Sequence, residues 1–249
     1  MSEERRAAAL SVRGIGKHYG ELVALHDVSF DLRAGEVLAV VGPNGAGKTT
    51  LLSIIAGTQR ASAGTVLVPA GDESAAVGWA PQQAALYSRL TVAENLRLFA
   101  HLERVADADS VVARMLVQTG LGERADERVA RLSGGNRQRV NVALALLADP
   151  PVLALDEPSA SLDPAQRERL WEFIKRLASD GRGVIFSSHN MAEVQRHADR
   201  VIVLDRGEEL FDGAPSELMR AAGDGEVLEL ESALVAFVER SEREHRLRA

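Results

Sequence analysis

Residues 42–49, GPNGAGKT, place three glycines ahead of a lysine and a threonine, directly after the apolar run VLAVV and at the start of a helical pattern. That order suits an anion with several oxygens. Gly45 and Gly47 carry no Cβ, so their N–H groups and that of Lys48 can face phosphate oxygens, and the helix start adds positive potential. A helix end contributes only about 0.3 to 1 kcal/mol, so Lys48 and a Mg²⁺ held by Thr49 must do most of the work of holding a triphosphate. A second stretch, VLALDE at residues 152–157, ends a four-residue apolar run on two carboxylates. Asp156, at the carboxyl end of such a strand, could reach Mg²⁺ through water, and Glu157 is the candidate general base for an attacking water. An acidic pair also solvates strand ends with no ligand involved, and it is the glycine loop that favours the catalytic reading. A third stretch, LSGGN at residues 132–136, spends Gly134 and Gly135 on the start of a helix. Glycine in a helix interior costs roughly 1 kcal/mol per residue, so the pair marks a close approach to something.

The elements that must position these groups follow from periodicity. Between residues 9 and 40, short apolar and β-branched runs separated by turns at Gly20 and Gly35 predict an antiparallel piece feeding a buried strand at 37–41. A helix starts near Lys48 and stops at Gly57, and two strand-like runs, TVLV and AVGWA, flank the polar turn PAGDES. Residues 90–147 change character: Thr91 and Glu94 form a capping box, and Leu96, Phe99, Val112, Met115 and Leu116 recur at helical spacing. This is a helical insert. Beyond residue 151 the chain returns to strand, helix, strand, with PVLALD, a helix from Pro164 to Ala178 burying Leu170, Phe173, Ile174 and Leu177, and GVIFSSH. Runs apolar on both faces, joined by crossover helices, predict a parallel sheet covered on both sides. RVIVLDRGEELF reads as a hairpin, and residues 228–238 as a short amphipathic helix.

Composition removes several classes of function. The 249 residues are 46% hydrophobic, enough for a sizeable core. With 29 Lys and Arg against 36 Asp and Glu, the net charge is −7 and no basic block appears, so no nucleic acid is expected as partner. The absence of cysteine excludes disulfides, thiolate zinc sites and a cysteine nucleophile. The opening MSEERRAAALSV has too short an apolar run for a signal peptide, and residues 37–58 and 140–155 are interrupted before reaching the roughly 20 apolar residues of a membrane span. A cytoplasmic protein is expected, whose membrane role would pass through a partner.

Six stretches, GPNGAGKTT, APQQ, LSGGNRQR, LALDEP, SASLD and SSH, occur in the order and approximate spacing of the ATP-binding cassette (ABC) ATPases, and the chain resembles that family from about residue 10 to 218. The resemblance implies an α/β fold: a P-loop nucleoside triphosphatase core with a mostly parallel sheet, an N-terminal antiparallel β subdomain and an inserted helical subdomain. The expected domain is residues 8–222, with the helical subdomain at about 83–147 and a short C-terminal helical tail at 223–249. It also implies Mg²⁺ and ATP, with Gly42, Asn44, Gly45, Ala46, Gly47, Lys48, Thr49 and Thr50 around the phosphates. Thr49, Gln82 and Asp156 fall at the metal positions, Glu157 at the base, and His189 at the switch histidine that contacts the γ phosphate. Tyr19 matches the aromatic that stacks on adenine, although an ordinary strand aromatic would look the same. Ser133, Gly134 and Gly135 match the family signature, which grips ATP held by a second copy, two chains lying head to tail in a symmetric dimer. The same serine would cap an ordinary helix, packed through Val140, Ala143, Leu144 and Leu147. Asp163 matches the loop that crosses the dimer interface and would equally serve as a plain N-cap before Pro164. Asn136 departs from the commoner Gln, shortening the reach toward ribose or interface but leaving the Ser-Gly-Gly grip.

The resemblance further implies a transmembrane permease subunit as partner and a peripheral location on the inner face of the cell membrane. Leu86, Tyr87 and Leu90, beside Gln82 and without an obvious internal partner, are expected to line a groove for a short helix of that permease. LTVAENLRLFAHL and LELESALVAFVE resemble the drug, polysaccharide and sodium exporter branch. Alternatives are an importer ATPase, a family member powering a soluble machine, and a non-catalytic module dimerised by ATP. The last should have lost Lys48, Glu157 or His189, and all three are present.

Overall fold

A computed structural model describes residues 7–69, 77–160, 162–223 and 228–248, with the side chains of 242 and 244–248 set aside. Strands β1 (Ala8–Tyr19) and β2 (Leu22–Arg33) pair antiparallel through a turn at Gly20, whose φ of +61° suits glycine. They are followed by β3 (Val37–Val41), helix α1 (Lys48–Ile55) and β4 (Ala63–Leu67), which pairs with β1 to complete a three-stranded sheet in the order β2-β1-β4. TVLV and AVGWA do not meet across a turn. The first belongs to β4, the second to β5 (Val77–Ala80), which opens a different sheet. Of the turn between them, all but Pro69 lies outside the described residues.

The second sheet runs β5-β6-β7-β3-β8-β9, with β6 (Val152–Asp156), β7 (Gly183–Ser187), β8 (Arg200–Asp205) and β9 (Glu208–Gly213). All neighbours are parallel except β9, which forms the expected hairpin with β8. β3, β6 and β7 are buried at every residue. Alternation then sorts their side chains, since successive residues of a strand point to opposite faces. Leu38, Val40, Val152, Ala154 and Ile185 join one core with α1 and the antiparallel sheet. Val37, Ala39, Val41, Leu153, Leu155, Val184 and Phe186 join another with the helices. One sheet thus separates two cores, and β3, β6 and β7 each contribute to both.

The helical layer comprises α2 (Val92–Leu102), α3 (Ala108–Gln118), α4 (Gly134–Ala145), α5 (Pro164–Ser179), α6 (Met191–His197), α7 (Pro215–Ala222) and α8 (Leu230–Arg248). The capping box on α2 is formed, with Glu94 N–H donating to Thr91 Oγ1 at 3.1 Å and Thr91 N–H to Glu94 Oε2 at 2.8 Å. α8 is longer than the helix expected at 228–238. Its first turn is anchored by buried Leu230 and Ala233, and Phe237 meets Phe211 edge-on at 5.5 Å. Past that point it continues through ERSEREHRLR, a run of mostly good helix formers with little apolar periodicity, so propensity extends the helix where no buried stripe announces it. Among the described residues no helix is long and apolar enough to cross a membrane.

Candidate active site

The loop after β3 is wedged against neighbouring backbone. A Cβ on Gly42, whose φ is +145°, would lie 2.0 Å from the carbonyl oxygen of Leu204 at the end of β8. One on Gly47, at φ +104°, would lie 2.7 Å from both Ala24 O and Leu25 Cδ2 on β2. Only glycine fits at either point. Gly45, at φ +82°, faces open space instead. Ala46 is buried, and its N–H donates to Pro43 O at 3.2 Å. Lys48 Nζ folds back to donate to Gly42 O and Pro43 O at 2.7 and 2.9 Å, so the cation is poised over the loop. Burial lowers the Lys48 pKa, while Glu157 and Asp156 act to raise it.

The acidic end is held by the next strands. β7 lies between β3 and β6, with Ser187 opposite Asp156, so the ends of β6 and β7 stand side by side. Asp156 is buried; its Oδ2 accepts from Thr49 Oγ1 at 2.9 Å and its Oδ1 from Ser187 Oγ at 2.5 Å. The same Ser187 oxygen accepts from Glu157 N–H at 2.9 Å. Glu157 takes φ +48°, a conformation that costs a non-glycine residue roughly 1 to 3 kcal/mol and that persists only where the surroundings impose it. The turn leaves the Glu157 carboxylate with His189, whose Nδ1 lies 2.8 Å from Oε2; against a carboxylate that nitrogen is the N–H donor. Glu157 is 12% exposed and His189 69%, so the carboxylate is shielded and the imidazole open.

These groups surround a cleft of about 630 Å³. Of the residues selected from sequence, Tyr19, Asn44, Gly45, Ala46, Gly47, Lys48, Thr49, Thr50, Gln82, Asp156, Glu157 and His189 line it; Gly42 does not, and contributes its carbonyl to Lys48. Tyr19 stands at the rim with Lys17 Nζ 5.0 Å from its ring centre, and the Gln59 amide donates to its hydroxyl. Ser133, Gly134, Gly135 and Asp163 do not line it. Ser133 caps α4, its Oγ accepting from Asn136 N–H at 3.3 Å, and Asp163 caps α5, accepting from Gln166 N–H at 2.8 Å. What approaches Gly135 within the chain is Gln166: a Cβ there would sit 2.0 Å from Gln166 Oε1. Sequence reading missed Ser187 and Gln166. The first was visible as a hydroxyl at the end of a buried strand; nothing local marks the second.

Leu86 and Tyr87 are not without internal partners. Leu86 packs against the helical core, and the Tyr87 ring lies 6.3 Å from that of Phe99. The Asn95 amide closes the loop by accepting from Tyr87 N–H at 2.9 Å and donating to Tyr87 O at 3.1 Å. Tyr87 remains 54% exposed. Beside this loop is a second cavity of about 300 Å³, lined in part by Trp79, Ala85, Phe99 and Leu144.

A glycine loop between a buried strand and a helix, with a carboxylate from a nearby parallel strand bonded to the loop threonine, defines a P-loop nucleoside triphosphatase. The family profile described as ABC transporter matches residues 25–160. Relatives include the Nod factor export ATP-binding protein I of Burkholderia orbicola (strain AU 1054), 36% identical over 232 residues, or 90% of this chain and 76% of the relative. Another is the linearmycin resistance ATP-binding protein LnrL of Bacillus subtilis (strain 168), 35% identical over 230 residues, covering 89% of this chain and 74% of that one. Among solved structures, the ATP binding subunit of an ABC transporter superposes with a TM-score of 0.81 at 27% identity, covering 92% of this chain and 99% of the other. A cassette in a dimeric post-hydrolysis state bound to ADP and Pi gives 0.74 at 26% identity, covering 82% and 98%. The chain belongs to the ABC transporter family and is an ATP-binding, ATP-hydrolysing subunit of that family.

Proposed function

We propose that two copies of this chain close head to tail around two Mg²⁺-ATP and drive a separate transmembrane permease in export, from the inner face of the cell membrane. The observation that carries the dimer is the separation of two phosphate-seeking ends: the cleft holds Lys48, whereas Ser133 and Gly135 lie outside it. A symmetric pair would bring the helix start of one copy onto the γ phosphate in the cleft of the other. The export direction is supported by the relatives, one named for Nod factor export and one for linearmycin resistance. In this reading the cassette spans residues 8–222 with its helical part at about 83–147, and residues 223–249 form the tail.

The donor set suits Mg²⁺, a hard cation that takes few protein ligands beside phosphate oxygens. Thr49 Oγ1 and Asp156 Oδ2, already 2.9 Å apart, and the Gln82 amide oxygen would hold it, directly or through water. Bound there, it supplies charge neutralisation at the β and γ phosphates. Lys48 exchanges its two carbonyl partners for phosphate oxygens. Glu157 accepts the proton of the attacking water, and His189 orients Glu157 and reaches the γ phosphate. Tyr19 stacks on adenine once Lys17 leaves its ring, and Asp163 meets the partner across the interface. The permease helix docks at the cavity beside Tyr87, so that closure of the dimer moves it.

Disulfide bridging tests the pairing, because the chain has no cysteine of its own. The doubly substituted chain, Asn44→Cys with Gly134→Cys, should form an intermolecular bridge under oxidation with ATP and lose it with ADP. Bridging only within single molecules, whatever the nucleotide, would sink the head-to-tail dimer.

A further inference from the structure

A carboxylate outside the cleft ties together the segments that carry the hydrolytic groups. Glu193, in the first turn of α6, is only 5% exposed. Its Oε2 accepts from the hydroxyl of Ser159, itself buried, at 2.6 Å, and its Oε1 lies 2.8 Å from Arg167 Nε. Arg167 also donates through its terminal nitrogen to Leu162 O at 3.3 Å. Glu193 therefore restrains the segment after β6 directly at Ser159, two residues past Glu157, and through Arg167 at Leu162, which immediately precedes Asp163.

The other end of the restraint is equally specific. Glu193 N–H donates to Asn190 Oδ1 at 3.2 Å, and Asn190 follows His189 directly. His189 meets Glu157 at 2.8 Å. The contacts form a ring, Glu157 to Ser159 to Glu193 to Asn190 to His189 and back, built from chain links and hydrogen bonds. None of Ser159, Arg167 and Glu193 lines the nucleotide cleft. An ion pair with one buried partner, Glu193, and one partly exposed, Arg167, gives weak net stabilisation, since desolvation of the carboxylate offsets the attraction. Its value here is geometric.

We propose that Glu193 is a positioning residue for ATP hydrolysis, holding the Glu157–Ser159 segment and the His189 turn in one register so that the two move as a unit. The inference rests on the roles of Glu157 and His189 given above. Misplacing a reacting group by about 1 Å can cost on the order of 100-fold in rate without altering ground-state binding. In the full chain, Glu193→Gln and Ser159→Ala should each lower kcat for ATP hydrolysis by about 10- to 100-fold and leave KM for ATP within about twofold. Because Ser159→Ala removes the hydroxyl and Glu193→Gln the charge that faces Arg167, both weaken one set of coupled contacts, and the double variant should lose no more than the worse single one. If Glu193→Gln does not fold, Ser159→Ala, which removes one hydroxyl, decides alone. A kcat per folded molecule at the wild-type level with only a lower Tm would overturn the proposal, as would losses that multiply in the double variant. Glu157→Gln separates the two readings: wild-type turnover in that variant overturns both, whereas slow turnover there with normal turnover in Ser159→Ala overturns the positioning role alone.

Discussion

The two glycine-bearing helix starts, one at the cleft and one outside it, are built on opposite principles. At Gly42 and Gly47 the missing Cβ makes room for neighbouring backbone, Leu204 O at 2.0 Å and Ala24 O at 2.7 Å, so the loop is set when the sheet assembles. At Gly135 the missing Cβ makes room for the far end of a flexible side chain, the amide of Gln166. Backbone cannot step aside and a glutamine can. The first end is therefore finished within one chain, and the second is filled by a side chain that can move, which in the proposed head-to-tail dimer the partner's nucleotide would displace. The proposed cycle of closing and opening would use that asymmetry, because a ligand shifts an equilibrium only where the two states differ in contacts.

The largest effect should come from arresting the chemistry with both ends intact. Glu157→Gln keeps the size of the side chain and removes its basicity, so phosphate release should fall by about 100- to 10,000-fold. ATP should then accumulate a dimer, seen as a doubled mass in light scattering. A variant that stays monomeric with ATP would mean that the Gly135 end is never engaged.

Alanine at the two ends tests the contrast directly. Gly42→Ala combines a φ of +145° with a backbone collision, and should destabilise the fold by about 3 kcal/mol or more in chemical denaturation. Gly135→Ala asks only that Gln166 rotate away and gains helix propensity, so its stability should change by less than about 1 kcal/mol. ATP binding by the monomer should be unaffected in Gly135→Ala and the ATP-dependent dimer weakened. Equal destabilisation of the two variants would erase the distinction.

Lys48→Ala removes the cation that bridges Gly42 O and Pro43 O and would turn to the phosphates. A hydrogen bond to a charged group contributes about 1.5 to 3 kcal/mol, so ATP affinity should drop by about 10- to 100-fold in calorimetry. The fold should survive, since the glycines and not the lysine shape the loop.

The local half of this arrangement was legible in the sequence. The phosphate loop, the Thr91 capping box, the alternating cores and the acidic end of β6 all follow from spacing over a few residues. What spacing could not show is long-range pairing. Nothing near VLALDE says that β7 rather than β3 lies beside it, and nothing near Gly135 points to Gln166, 31 residues on and in another helix. Glu193 was overlooked for the same reason: a glutamate in an exposed-looking helix, MAEVQRH, becomes a buried ion-pair partner only when α5 packs beside it. Tyr87 looked free because Phe99 and Asn95 reach it from the next helix, and Leu86 because the core it packs on is assembled from distant helices.

The smallest effect lies at the end of the sheet away from the nucleotide, where neither glycine end has influence. His197 closes α6, 8% exposed, and its ring stacks on Trp171 at 4.6 Å with the planes 6° apart. Burial, followed by the nearby charges of Lys175 and Arg196, lowers its pKa from 6.5 to about 4, with Glu168 opposing. The unfolded chain therefore takes up this proton before the folded one does. Stability is unaffected by His197 above pH 6.5 and falls by roughly 1 kcal/mol for each pH unit as pH drops from 6.5 toward 4. His197→Gln cannot be protonated and should show a shallower fall in Tm between pH 7 and pH 5 than the wild type. Identical slopes would show that the imidazole titrates as freely in the fold as outside it, and would place no buried neutral group under α5.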